Sequence, residues 1–131
     1  MHIKDISNEQ CAQFVEDYLS NIKNDNFSSG PIKIKKIKRT DDRVQVFAEQ
    51  RQKHLVHNAQ LTLTYVTTFK SVTDGTMITT LENHIRLTST SAALEGLIMK
   101  DAKPMKLDIS EDSNKYFEEH LEQTEESILQ K

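Results

Sequence analysis

Five histidines, a lone cysteine and a run of lysines carry most of the reactive chemistry in this 131-residue chain. His84 alternates with Glu82 and Arg86. On a strand such residues share a face with side chains about 7 Å apart, the arrangement a histidine general base and its carboxylate need. The apolar residues of that segment claim the other face, however, which turns the trio towards water and towards surface pairing. His54 and His57 stand three apart and read as a solvated loop or strand start, and His2 and His120 fall near the ends. No histidine pair has the HExxH spacing of a metal site, and Cys11 has no second thiol, so neither a metal nor a cofactor is expected. Cys11 also lies on an apolar helical stripe, where cysteine acts as a small hydrophobe. Neither GxSxG nor SxxK occurs, and Gly30, Gly75 and Gly96 are too scattered to form a phosphate-binding loop. The expectation is a protein that is not an enzyme.

The remaining chemical feature is "PIKIKKIKRT" at residues 31–40, with five basic side chains in ten positions of a chain whose net charge is −3. From 31 to 53 basic residues outnumber acidic ones eight to three, and from 108 to 131 acidic residues outnumber basic ones eight to two. Lys33, Lys35, Lys36, Lys38, Arg39 and Arg43 would be the contact set of a nucleic-acid-binding strand. Such readers interleave aromatic residues for stacking, and this run has none. Lysines on an exposed edge strand also discourage edge-to-edge aggregation, and the segment reads as architecture before it reads as a site.

The elements that must hold these residues are legible from periodicity. Ser7 and Gln10 form a capping box with Ile6 and Cys11 as its staple. Cys11, Phe14, Val15, Tyr18, Leu19 and Ile22 then recur at helical spacing, which predicts a helix from about 8 to 24, ended by "NDNFSSGP". Ile32 and Ile34 share a strand face, and a bulge near Lys35 and Lys36 brings Ile37 to the same side. Thr40, Asp41 and Asp42 make a turn into a strand with Val44, Val46 and Ala48 inward. Two long strands follow with apolar odd positions, Leu61, Leu63, Tyr65 and Phe69 in the first and Met77, Leu81, Ile85 and Leu87 in the second. A loop of Thr73, Asp74 and Gly75, with Gly75 left-handed in a G1 bulge, pairs Leu61 with Leu87, Leu63 with Ile85 and Thr67 with Leu81. "AALEGLIMK" fits a short strand or a helical turn, and Met105, Leu107 and Ile109 alternate as a last edge strand. Ser110 is the expected N-cap of a closing helix over about 112–129, with Phe117, Leu121, Thr124 and Ile128 as its stripe.

The sum is a single α+β domain over 1–131: an N-terminal helix packed on a curved, mainly antiparallel sheet of four to six strands, with a C-terminal amphipathic helix. Cystatin-like and NTF2-like folds wrap a long sheet around a helix in this way, though fold analogy carries no function. The leader lacks the apolar run of a signal peptide, no apolar stretch is long enough to span a membrane, and one cysteine suits a reducing compartment, so a cytoplasmic protein without a membrane partner is expected.

Four functions remain in play. The first is a protein-interaction module, a homodimer that meets another protein through Thr64, Val66, Thr68, Ile78 and Thr80 on the sheet or through Phe117, Leu121 and Ile128 on the last helix. In that reading Val66 and Ile78 nearly face each other across the hairpin. The second is nucleic-acid binding on the basic strand. The third is a small-ligand-binding or enzymatic domain with a pocket between sheet and first helix near Tyr18, Tyr65 and His84. A chaperone with an apolar groove is the fourth.

Overall fold

The computed structural model describes residues 2–88, 92–102 and 104–129. The side chains at 88, 92 and 121–129, and with them the stripe positions Leu121, Thr124 and Ile128, lie outside the described part. The capping box forms as the sequence indicates: Ser7 Oγ accepts from the Gln10 amide at 3.1 Å, and Gln10 Oε1 accepts from the Ser7 amide at 2.8 Å. The helix it starts, α1 (Asn8–Ser20), stops earlier than expected. Side chains that compete for backbone groups end it, since Ser20 donates to the Glu16 carbonyl and Asn21 to the Asp17 carbonyl.

Six antiparallel strands follow: β1 (Phe27–Ser29), β2 (Lys33–Arg39), β3 (Arg43–His54), β4 (Gln60–Ser71), β5 (Met77–Thr88) and β6 (Lys106–Asp108). They curl into a half-barrel in the order β1-β3-β4-β5-β6, and β2 also pairs with β3. β1 and β2 run along the same edge of β3, one edge interrupted at Gly30 and Pro31. Gly30 lies close to β3 at that break: a Cβ there would press on the Arg51 carbonyl at 3.3 Å, the group that accepts its amide. The bulge lies between Ile34 and Lys36, and it keeps Ile34 and Ile37 packed against the core.

The β4–β5 hairpin has the register its alternation demands, with Leu61 opposite Leu87, Leu63 opposite Ile85 and Thr67 opposite Leu81. Gly75 takes φ +87° and its amide donates to the Val72 carbonyl, which closes the turn. Val66 and Ile78 do not face each other: Val66 stands opposite Glu82, and Ile78 opposite Lys70.

The ambiguous "AALEGLIMK" is helical, within α2 (Ala92–Ala102). Helix α3 (Ser110–Leu129) starts before the expected position. Ser110 is its first residue and not its N-cap, because the Ser113 amide already donates to the Ile109 carbonyl. The Ser110 hydroxyl instead accepts from the Thr79 amide at 2.9 Å, tying the helix to β5. Asp108 accepts from both the amide and the hydroxyl of Ser110, which lowers its carboxyl pKa.

The core lies inside the curl. Phe14 of α1 meets Phe69 of β4 at 5.9 Å and Phe117 of α3 at 5.7 Å between ring centroids. A smaller cluster of Phe27, Ala59, Leu61 and Ile98 fills the other end under α2. Among the described residues no helix is long and apolar enough to cross a membrane.

Candidate functional site

All three helices pack on the inner face of the sheet, so the outer face carries no described element of this chain. Its residues form rows across the strands. Lys36, Phe47, Val66, Glu82 and Lys106 stand side by side on five successive strands. The next row in one direction is Lys38, Gln45, Thr68, Thr80 and Asp108, and in the other Lys33, Glu49, Thr64 and His84. Four of the five expected sheet-face residues, Thr64, Val66, Thr68 and Thr80, therefore fall within three adjacent rows, while Ile78 sits one row further on and is 41% exposed. Phe47 was missed. Its signal was a parity break, an apolar residue on the polar side of "VQVFAE". The Lys38 ammonium lies 5.6 Å from the centre of its ring, a cation–π contact that holds the lysine across the apolar centre.

The six basic residues of the nucleic-acid set do not act as one. Arg39, though exposed, lies against the N-terminal segment, where its guanidinium donates to Asn8 Oδ1 at 2.7 Å, to the Ile3 carbonyl at 3.2 Å and to the Ile6 carbonyl. Arg43 pairs with Asp42 at 3.5 Å. With Lys38 over Phe47, Lys33, Lys35 and Lys36 are left without an ion pair among the described residues. These three stand on a bulged edge strand, which is where edge protection is needed.

Tyr18, Tyr65 and His84 do not line one pocket. Tyr65 is buried on the inner face, whereas His84 is exposed on the outer face, 3.9 Å from Glu82. Phe14 and its aromatic neighbours fill the space between sheet and first helix. A cavity of about 480 Å³ opens instead beyond the end of α1, lined by Ile22, Phe27, Gly30, Ile32 and Gln50. Gln50 is buried there, but its amide already donates to the Gly30 carbonyl and its oxygen accepts from Tyr65 and Gln52.

His54 is not a solvated residue: it is 3% exposed and closes β3. Its Nδ1 accepts from the amides of Val56 and His57, so Nε2 carries the proton and donates to Asp101 of α2 at 2.7 Å. Both nitrogens are committed, and no lone pair is left for a metal or for a substrate proton. Its role is to tie the β3–β4 loop to α2. No group of three or more histidine, cysteine and acidic residues placed to hold a metal occurs among the described residues. Burial pushes the Cys11 thiol up to about 12, so at neutral pH it is an unreactive core group.

Protein-family models, curated proteins and solved structures yield no match to this chain.

Proposed function

We propose that the chain is a non-enzymatic protein-interaction module that works as a homodimer, two copies meeting through the outer face of the sheet around Phe47 and Val66. What carries this reading is the charge order of the cross-strand rows. The row through Phe47 and Val66 has Lys36 on β2 and Glu82 on β5 at equal distances from its centre, with Lys106 beyond on β6, and the next row runs from Lys38 on β2 to Asp108 on β6. A two-fold axis between Phe47 and Val66, running along the strands, lays Lys36 of each copy over Glu82 of its mate and Phe47 over Val66, with threonines of the neighbouring rows beside them. Three strands of twelve residues, each spanning roughly 40 Å, with the shorter β2 and β6 at their sides, give a face on the order of 700 Å², near one side of a standard stable interface. Sheets that pack face to face in this way align to within about 30°. The exposed acids Glu111, Asp112, Glu118 and Glu119 of α3 lie apart from that face and would serve a different protein.

Size-exclusion chromatography with light scattering tests this at ~50 mM and ~500 mM salt, with and without mixed short DNA and RNA, a range over which phosphate contacts weaken strongly. The expected result is self-association that ignores nucleic acid and is lost in Val66→Asp. A monomer at high micromolar concentration overturns the dimer. Co-elution with nucleic acid at low salt alone, abolished by charge reversal at Lys33 and Lys36, replaces this reading with the basic strand as the site.

A further inference from the structure

The β3–β4 connection, residues 55–59, is organised around His54. The His54 carbonyl accepts from the Asn58 amide at 2.9 Å, with Asn58 at φ +55°, and the His54 amide donates to the Ala59 carbonyl at 2.8 Å. Those two bonds are backbone only and indifferent to pH. The side chain adds a third hold, because Nδ1 accepts from the Val56 amide at 3.3 Å and from the His57 amide at 3.2 Å. Leu55 is 57% exposed and Val56 77%, so two large apolar side chains ride on the segment that this one lone pair pins down.

That hold exists only while Nδ1 lacks a proton. An imidazolium donates from both nitrogens and accepts at neither. A proton on Nδ1 would be aimed at two N–H groups, so the closed loop and a charged His54 exclude each other. The other nitrogen has no such conflict: Nε2–H donates to Asp101 at 2.7 Å in either state, and the carboxylate gives the cation a partner. Among the described residues, the titratable groups in contact with the ring are Asp101 from α2 and His57 from the loop, while β1 presents the edge of the Phe27 ring at 5.1 Å and β4 the Ala59 carbonyl. Lys23, Asp25, Lys100 and Lys106 share the groove that Asp101 lines. His57 is exposed and stacks on His54 with 5.1 Å between ring centres, so a proton on each ring sets like charges face to face and pushes the loop the same way.

We propose that His54 is a pH-operated latch on the β3–β4 loop. Neutral, it pins the Val56 and His57 amides; protonated, it keeps its bond to Asp101 and lets both amides go, which frees the loop that carries Leu55 and Val56. The direction is fixed by the geometry, since the closed loop requires the neutral ring: acid opens it and base closes it. What is released is a loop and not the fold. Helix α2 stays tethered through Asp101, whose carbonyl also accepts from Asn24 at 2.9 Å. Val56 and His57 are exposed residues, so water takes the place of Nδ1 at their amides at little cost. The latch is independent of the outer sheet face and of any dimer formed there.

Nuclear magnetic resonance on the full chain tests this in one titration from about pH 8 to about pH 5, which brackets the ordinary imidazole range. The ring nitrogens of His54 report its protonation, and exchange of the Val56 and His57 amides, normalised to the intrinsic rate at each pH, reports the loop. The expected result is a loss of protection of about tenfold at both amides, with the same midpoint as the His54 ring signals, while Leu63 within β4 keeps its protection. His54→Asn places an amide oxygen where Nδ1 stands and does not titrate, so its loop is expected to ignore pH. Asp101→Asn keeps an acceptor for Nε2–H without the counter-charge and is expected to move the opening to lower pH, a shift that a merely structural histidine would not show. Protection that stays flat while His54 takes up its proton overturns the proposal, as does a His54 that remains neutral down to about pH 5. A loop that opens at the same midpoint in His54→Asn assigns the effect to His57 and overturns it as well. Were His54→Asn to unfold, the wild-type titration alone decides.

Discussion

Helices α1 and α2 both cover the inside of the same curled sheet, yet they are built on different terms. α1 has a complete capping box, buries Cys11, Phe14, Val15 and Leu19 along one side, and turns Glu9, Glu16 and Asp17 to water. Each part of its sequence is accounted for by a contact within this chain. α2 drives one fully buried side chain, Ile98, into the sheet and is otherwise tethered at its C-terminal end, where Asp101 accepts from His54 through its carboxylate and from Asn24 through its carbonyl. A helix whose pattern its own chain explains is finished. α2 instead keeps apolar surface, Leu97 above all, uncovered among the described residues.

The sharpest way to break this contrast is to remove what α1 shares with α3. Phe117→Ala opens a cavity among Phe14, Phe69 and Tyr116, and it is expected to cost about 3–5 kcal/mol of unfolding free energy in denaturant titrations. His54→Ala acts on the α2 side and costs less, about 2–3 kcal/mol, through the two loop amides and the Asp101 carboxylate it leaves unpaired. Hydrogen exchange should show that loss concentrated in residues 55–58 and α2, with α1 still protected. The smallest effect has the opposite sign. Thr67 is fully buried and its hydroxyl has no partner among the described residues, so Thr67→Val should raise stability by about 1 kcal/mol, read as a higher denaturation midpoint with the same slope.

How far the sequence could be read follows the same division. The hairpin register, the Gly75 turn, the bulge at Lys35 and the start of α1 are local devices, each specified by residues within a few positions of one another, and all are where their pattern puts them. His54 was misread because its partner Asp101 lies 47 residues away on a segment whose periodicity fitted strand and helix alike. Arg39 read as free charge because its acceptors are two backbone carbonyls and an asparagine near the N-terminus, groups that leave no trace in a charge pattern. The outer face was half legible. Alternation identified Thr64, Val66, Thr68 and Thr80, but it took the pairing of the strands to show that Phe47 completes the apolar centre and that Lys36 and Glu82 flank it on either side.

The contact between Phe14 and Phe117 also sets an order of events in time. The two rings come from segments about a hundred residues apart, with the whole sheet between them in the chain. During synthesis the β3–β4–β5 meander can pair as it emerges, because each turn joins neighbouring strands, but the concave side it offers to α1 stays wet until α3 arrives to shut it. The chain therefore passes through a stage in which Phe14, Phe69 and Leu81 are gathered and unsealed. How quickly the stretch between β5 and Phe117 of α3 is made governs how long that sticky intermediate persists.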